Sequence, residues 1–348
     1  MKVLFLSIMA KCGVFTHVRE LALYMQKRGV TPIIGFIHNP KTISLFKITK
    51  KDMDGLIESI KGLEYFYYDS DESLLKKIQS NKFDLVHAHS PIVLSSAMAI
   101  YKKYNTPYIV TLHGTANWNT LHGASLRVAK GIIAIGPEVA ASAGSEFKDK
   151  IEVIFNGIDT DHYKPNNMKN NHGPLRILWM GRTNGPTANG VTYLSKAIRQ
   201  LRRKGIPVEA KVIGHASGAG TGELELCGWV HEPLKYLQWS QIVFGRGRAL
   251  REAMAAGNVG FLIGQGYGGV VMENWFDEGK TPLLSASLKH GYSKLNSQDI
   301  MKDLLDFHYR RGLLEERRLV ARKIAEDHFN IWKMVDETFK IFQKALQG

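Results

Sequence analysis

Three glycine-marked turns and a few histidines hold most of the chemistry that residue type and spacing disclose in this chain. The first turn is Ala10-Lys-Cys-Gly-Val14, between an apolar strand candidate and a helical stretch. A glycine there lets a ligand reach the backbone, and the first N–H groups of a helix attract anions. Gly13 is therefore a candidate anion contact, with a structural tight turn as the alternative; the dinucleotide fingerprint G-x-G-x-x-G is absent. The second turn is Gly181-Arg182, directly after the apolar run Ile177–Met180. An arginine at the carboxyl end of a strand offers a rigid fork of donors that suits a diphosphate, and a lone surface arginine is the alternative. The third is Gly245-Arg-Gly-Arg-Ala-Leu-Arg-Glu-Ala-Met-Ala-Ala-Gly257, which opens a helix. Gly247, Arg246 and Arg248 at that helix start describe an anion cradle. Glu252, one turn later, either accepts hydrogen bonds from two ribose hydroxyls or pairs with Arg248 at the i,i+4 spacing.

Among the histidines, His113 follows the apolar run Tyr108–Leu112, so its side chain leaves the sheet at a carboxyl end. A neutral imidazole can donate to or accept from a sugar hydroxyl. His87 and His89 share one strand face, as two metal ligands would, but no third ligand is evident and hydrogen-bonded histidines are the preferred reading.

The elements that would position these residues alternate. Strand candidates are Lys2–Ser7, Pro32–Ile37, Leu63–Tyr68, Phe83–His87, Tyr108–Leu112, Gly131–Ile135 and Ile151–Phe155. Helical spacing appears at Val14–Lys27 and Ser95–Tyr104, while residues 41–60 read as irregular and basic. The polar stretch Lys164–Pro174 reads as a linker. The alternation then restarts with Arg176–Met180, Val208–Ile213, Leu224–Cys227, Ile242–Phe244, Val259–Ile263 and Pro282–Leu284, with helices at Val191–Lys204 and from about Ser297 onward. Strands separated by helices predict parallel sheets, hence an α/β chain of two doubly wound Rossmann-like domains in series.

Length and composition agree with that frame. The chain has 348 residues, 44% of them hydrophobic and 22% charged, which excludes global disorder and a disulfide mini-scaffold. No apolar run is long enough for a membrane span, and the start Val3–Met9 is too short for a secretion signal. Two distant cysteines, Cys12 and Cys227, suggest a reduced cytoplasmic protein. A net charge of +14 invites a polyanion such as nucleic acid, an anionic membrane or a phosphorylated substrate. The densest basic clusters, Arg202–Lys204 and Arg310–Lys323, read as solvated helix faces. Lys41–Lys51, where lysines alternate with Ile43, Leu45, Phe46 and Ile48, reads either as a solvated loop or as a contact for anionic lipid.

Several segments in order resemble one family. Gly13 with Val14–Ala22, Asp84-Leu-Val-His-Ala-His-Ser-Pro91, Thr111-Leu-His-Gly114, Val153-Ile-Phe-Asn-Gly-Ile-Asp159, Gly181-Arg182 and Glu252-Ala-Met-Ala-Ala-Gly257 are similar to motifs of the GT-B-fold glycosyltransferases of family 4. That resemblance implies two Rossmann-like domains facing a central cleft and a retaining, metal-independent transfer from a nucleoside diphosphate sugar, UDP-sugar being the expected donor. It divides the chain into an acceptor domain at 1–164, with the closing helix 331–348 packed back on it, and a donor domain at 165–330. It implies that His113 lies beside the transferred sugar, that Gly13 approaches the donor phosphates, that Arg182 binds the diphosphate, and that Glu252 holds the ribose, with Gly247 and Arg248 completing the donor site. It implies no cofactor and no metal, an unidentified glycan, lipid-linked or small-molecule acceptor of the cell-envelope polysaccharide kind, and a cytoplasmic location with peripheral contact to the anionic inner membrane face.

The chain departs from the family in three places. No lysine follows Arg182 in Thr183–Gly190, Phe244 stands where the first of two paired glutamates is usual, and Cys12 stands where a second glycine is common. These departures keep open a catalytically weak nucleotide-sugar-binding scaffold; the same fold leaves a sugar-nucleotide epimerase as a rival, and the net charge alone suggests a DNA-modifying glycosyltransferase with nucleic acid as partner.

Overall fold

A computed structural model describes residues 1–166, 173–181, 185, 188–214, 220–228, 230, 232–277, 282 and 284–347. The chain divides into two compact units, Met1–Gly157 with Ile331–Gly348, and Ile158–Asn330.

The first unit runs β1 (Lys2–Ile8), α1 (Gly13–Lys27), β2 (Thr31–Ile37), α2 (Pro40–Phe46), α3 (Lys50–Ser59), β3 (Glu64–Tyr68), α4 (Asp71–Ile78), β4 (Leu85–Ala88), α5 (Leu94–Tyr104), β5 (Tyr108–Leu112), α6 (Trp118–Val128), β6 (Gly131–Ala134), α7 (Pro137–Ala143) and β7 (Ile151–Val153). Its sheet has the order β3-β2-β1-β4-β5-β6-β7. Every pairing is parallel. The winding direction reverses between β1 and β4, and in doubly wound sheets ligands bind outside the carboxyl ends at that point. Both faces of the sheet are covered, so β1 reads as one apolar run, with Val3, Leu4, Phe5 and Leu6 all 0% exposed.

The second unit runs β8 (Leu175–Met180), α8 (Asn189–Arg203), β9 (Val208–Ile213), β10 (Glu225–Leu226), α9 (Leu234–Trp239), β11 (Ile242–Gly245), α10 (Gly247–Ala255), β12 (Val259–Ile263), β13 (Gly266–Val270), β14 (Ser293–Lys294), α11 (Ser297–Tyr309) and α12 (Arg311–His328). Its order is β10-β9-β8-β11-β12-β13-β14. The last two pairings, β12 with β13 and β13 with β14, are antiparallel.

The chain then returns to the first unit as α13 (Ile331–Gln347). Its buried stripe, Ile331, Met334, Val335, Thr338, Ile341, Phe342 and Ala345, follows helical spacing. The stripe joins Val18, Leu21 and Met25 of α1 and Ile109 of β5 in one core. Two glycines permit that approach. A Cβ at Gly157 would stand 2.6 Å from the Ile331 Cα, and one at Gly131 would stand 2.9 Å from the Ile341 Cγ2.

Three sequence expectations are corrected. Residues 41–60 are not irregular but contain α2 and α3. Asn39 and Thr42 form a reciprocal capping box for α2, and Thr49 and Asp52 form one for α3, so local capping outweighs a lysine-rich composition. Pro282 and Leu284 lie outside any strand, with 281 and 283 outside the described residues. The sheet continues instead through the glycine-rich β13. The crossing between units falls at Gly157/Ile158, before the polar stretch Lys164–Pro174. The reason is bonding: Ile158 N donates to Phe329 O, and Arg322 Nη1 donates to the carbonyls of Thr160 and Tyr163, which ties 158–163 to the second unit. Residues 167–172 of that stretch lie outside the described residues.

The basic clusters are ion-paired rather than gathered into one bare surface. Arg199 and Arg202 share Glu223, Arg310 pairs with Asp306, Arg318 with Glu315, and Arg322 with Glu326.

The packing of α13 predicts an asymmetry between two glycines. Gly157→Ala must displace backbone and is expected to lower stability by about 1–3 kcal/mol. Gly13→Ala points a methyl into open space and is expected to change stability by no more than about 0.5 kcal/mol. Urea unfolding of both variants checks the difference.

Candidate functional site

In the first unit, the period of two on parallel strands builds a column of polar side chains. Leu85, His87 and His89 share one face along β4, and Ile109, Thr111 and His113 share it along β5. The register pairs His87 with Ile109, and diagonal neighbours two residues further along β5 meet in two successive steps. His87 Nε2 lies 2.7 Å from Thr111 Oγ1. One step nearer the carboxyl edge, His89 Nδ1 lies 3.3 Å from His113 Nε2. Helix α1 closes over this face and adds His17, whose ring centroid is 4.8 Å from that of His113 and 5.4 Å from that of His89. Phe5 stacks on His89, and Phe342 of α13 meets His87 edge-on.

Burial fixes the charge of these rings. His87, His89 and His113 titrate well below the ordinary histidine value, chiefly because burial penalises the imidazolium and secondarily because each neighbouring imidazole would repel it. All three are neutral at pH 7. Neutral rings have one donor nitrogen and one acceptor nitrogen. His87 Nδ1 and His89 Nε2 are buried without a hydrogen-bond partner. An orphaned lone pair costs less than an orphaned N–H. That difference assigns the tautomers: His87 Nε2–H donates to Thr111, and His89 Nδ1–H donates to His113 Nε2. His113 is then left with its hydrogen on Nδ1, as a donor for an incoming oxygen. His113 is the partly exposed member of the set, and His17 and His89 are buried.

The neighbouring loop comes from β1. Lys11 is ion-paired with Asp52 of α3, which anchors the turn just before Gly13. Gly13 opens α1 after an extended Cys12, and a Cβ at Gly13 would meet nothing within 4 Å. Its φ is not positive. Neither packing nor backbone conformation demands glycine there, while Cys12 N donates to Ala10 O at 2.7 Å in the tight turn just before it. Gly114 has neither a positive φ nor a neighbour within 4 Å of a Cβ, so no clash at the turn after His113 requires a glycine. Cys12 and Cys227 are free thiols.

In the second unit, three adjacent strands end in glycine. Gly181 follows β8 with φ +150°, Gly214 follows β9 with φ +138°, and Gly245 ends β11. A Cβ at Gly214 would stand 2.2 Å from Gly181 O, and one at Gly245 2.9 Å from Met180 O, so backbones converge at this edge as side chains would not allow. Helix α10 starts here, with Gly247 at φ +57° and no capping bond from the side chain of its N-cap residue Arg246. Arg248 Nε donates to Glu252 Oε1 at 2.6 Å, so the i,i+4 pair is formed in this structure. The Glu252 side chain is 7% exposed and that of Arg248 25%. The hydroxyl of Tyr163 hydrogen-bonds Glu252, and burial together with that carboxylate pushes the phenol up. Arg322 Nη1 bonds the carbonyls of Thr160, Tyr163 and Ala255 at 2.6–2.9 Å, joining the Tyr163 segment to the last turn of α10.

The sequence-derived residues thus fall into two groups. Gly13 and His113 lie at the carboxyl edge of the first sheet, and Gly247, Arg248 and Glu252 at that of the second. Arg182 lies outside the described residues. Phe244 is a core residue of β11, stacked on Phe261 with centroids 4.5 Å apart. Sequence reasoning missed His17, Tyr163 and Gly214. A histidine on the apolar stripe of α1, one turn before Leu21, was the signal for the first; nothing local marked the other two.

Residues 12–162 match the model of Glycosyltransferase Family 4. The chain has the GT-B fold, and its first unit is similar to Glycosyltransferase Family 4 over those residues. No protein of curated function matches it by sequence. Its fold is similar to a glycosyltransferase from Rickettsia africae, with TM-score 0.75, 15% identity, and 100% of this chain and 99% of that one covered. It is similar to Anabaena HepE, solved with UDP and glucose, at TM-score 0.69 and 15% identity, covering 99% of each chain. It is also similar to the sucrose-phosphate synthase of Thermosynechococcus elongatus, at TM-score 0.67 and 11% identity, covering 100% of this chain and 99% of that one. Among the described residues, no helix of this chain is long and apolar enough to cross a membrane.

The buried neutral histidines make stability depend on pH with a definite sign. In the unfolded chain they titrate near 6.5, so below that value the unfolded state binds more protons than the folded one. Their contribution is complete above pH 6.5 and is lost as pH falls. The unfolding free energy from urea titration is expected to drop between pH 7.5 and 5.5, by up to about 1.4 kcal/mol per pH unit for each ring below pH 6.5. A shallower drop in His87→Gln checks the assignment to these rings.

Proposed function

We propose that this chain is a glycosyltransferase that moves a sugar, with retention and without a metal, from a nucleoside diphosphate sugar to a glycan, lipid-linked or small-molecule acceptor, and that the donor is a UDP-sugar. The second unit binds the nucleotide, and the first binds the acceptor. The observation that carries this reading is the start of α10, where the first helix N–H groups, not capped by the Arg246 side chain, the Arg248 cation and the buried Glu252 carboxylate lie close together. An anion and a ribose diol are the ligands such a set recognises. HepE, of the same fold, was solved with UDP and glucose, which supports the choice of donor.

The chemistry is chiefly electrostatic. As the glycosidic bond breaks, negative charge grows on the leaving diphosphate and positive charge on the sugar. Arg248 and the α10 N-terminus hold the former, with Arg182 as the further cation that the sequence offers; in the first unit, Gly13 at the α1 N-terminus is the proposed phosphate contact. Glu252 takes the ribose hydroxyls in exchange for part of its bond to Arg248. His113 gives its Nδ1 hydrogen to a hydroxyl of the transferred sugar, and the His89 bond keeps it in the donating tautomer. Leu45, 61% exposed between Lys41 and Lys47 on α2, supports peripheral contact with anionic lipid on the cytoplasmic membrane face.

Incubation with UDP-, GDP- and ADP-sugars, reading free nucleotide, tests the proposal. Slow release from a UDP-sugar is expected; tight binding without release in the presence of cell extract would favour a scaffold, and conversion to an epimeric donor would favour an epimerase. Arg248→Ala is expected to weaken UDP binding by about 1.5–3 kcal/mol. Glu252→Gln is expected to weaken UDP but not uracil, whereas equal UDP affinity would leave Glu252 as the helix partner of Arg248 alone. His113→Ala is expected to lose kcat with the melting temperature and UDP affinity kept.

A further inference from the structure

The column of imidazoles at the carboxyl edge of the first sheet has a second capability. One nitrogen from each of His17, His89 and His113 lies within 4.8 Å of the other two. The His89 Nδ1 to His113 Nε2 separation is 3.3 Å. Two imidazoles on one tetrahedral zinc, each with a metal–nitrogen bond of about 2.0–2.1 Å, hold their nitrogens roughly 3.3–3.4 Å apart. The pair is therefore spaced for a shared metal as well as for a hydrogen bond, and a modest rotation of His17 completes a three-histidine face. The ligands come from three separate elements, α1, the end of β4 and the end of β5, held by packing from both sides. His113 is the partly exposed member, so the fourth position opens on its side.

The geometry points to a site for a divalent first-row transition ion, of the zinc or cobalt kind, formed by His17, His89 and His113. His87 is excluded because its Nε2 is engaged by Thr111. Binding has a cost that sets its strength. Metal ligation through His89 Nδ1 moves that ring's hydrogen to Nε2, which is buried without a hydrogen-bond partner. Metal-bound histidines ordinarily donate that hydrogen to a second group, and losing it weakens metal sites by roughly ten- to hundredfold. The site is thus one for reversible occupancy. Occupancy ties up His113 Nε2 and fills the space before it, so the ion acts as an inhibitor; this consequence, and only this one, rests on the reading of His113 as the sugar contact.

The test uses untagged, chelator-treated full-length protein. Cobalt(II) is titrated while the visible bands of a tetrahedral site are recorded, and zinc affinity follows by competition. One equivalent is expected to bind with those bands. His113→Gln, at the open side, and His17→Gln are each expected to weaken binding by roughly tenfold or more, while His122→Gln on α6 leaves it unchanged. Melting temperatures measured without metal certify that the variants are folded. Unchanged affinity in folded His17→Gln and His113→Gln, or several equal weak sites, would overturn the site. A second arm reads nucleotide release with zinc, then with excess chelator. Reversible inhibition supports both the site and the role of His113; one-equivalent binding without inhibition keeps the site and contradicts that role.

Discussion

His87, His89 and His113, packed with His17 at the carboxyl edge of a parallel sheet, are held uncharged by burial and by one another, and much of the first unit answers to that constraint. A single imidazolium there would face both desolvation and its neighbours. The sheet supplies the spacing, because parallel strands with a period of two set His87 beside Thr111 and His89 beside His113. The helices supply the dryness: α1 covers the column with its apolar stripe, and Phe342 of α13 closes it at His87. The return of the chain as α13 is thus part of how these rings stay neutral, and the glycines at 131 and 157 are what let the helix come close enough. Neutrality fixes the tautomers, and these leave His113 with one outward donor.

The second unit solves a different problem, that of holding an anion without burying an unpaired cation. Its parallel strands end in glycines that bring backbones together, and α10 starts directly beyond them. Arg248 and Glu252 satisfy each other across one turn, and Tyr163 shares the carboxylate. A nearly buried carboxylate is tolerable because of these partners. An incoming diol and diphosphate would offer each of them a replacement bond, so the pairing seen in this structure is compatible with ligand binding as well as with a helical ion pair. Arg322 is the structural counterpart, since it fixes the Tyr163 segment against α10.

Much of this was legible in the sequence because parallel strands covered on both faces must be apolar throughout. Tyr108–Leu112 and Val259–Ile263 stand out for that reason and coincide with β5 and β12. The weaker readings failed where composition masks local bonding. Lysines hid the capping boxes of α2 and α3, and the glycines of β13 concealed a strand that pairs antiparallel on the far side of β12. At the site, residues in glycine-marked turns were visible because glycine punctuates sequence. Tyr163 and His17 were not, because each acquires its meaning only when distant elements fold together. The histidine pair seen in sequence, His87 and His89, is regrouped by the fold: His87 turns to Thr111, and His89 joins His113 and His17.

The account stands most directly on the protonation of the histidine column and its response to donor. Isotope-edited nuclear magnetic resonance of the ring nitrogens, in the intact protein at pH 7, measures both. His87, His89 and His113 should each show one protonated and one bare nitrogen, with the His113 hydrogen on Nδ1. Saturating UDP-glucose should shift the His113 signals and leave those of His87 in place. A protonated imidazolium in the column at pH 7, or His113 signals indifferent to saturating donor, would contradict the account.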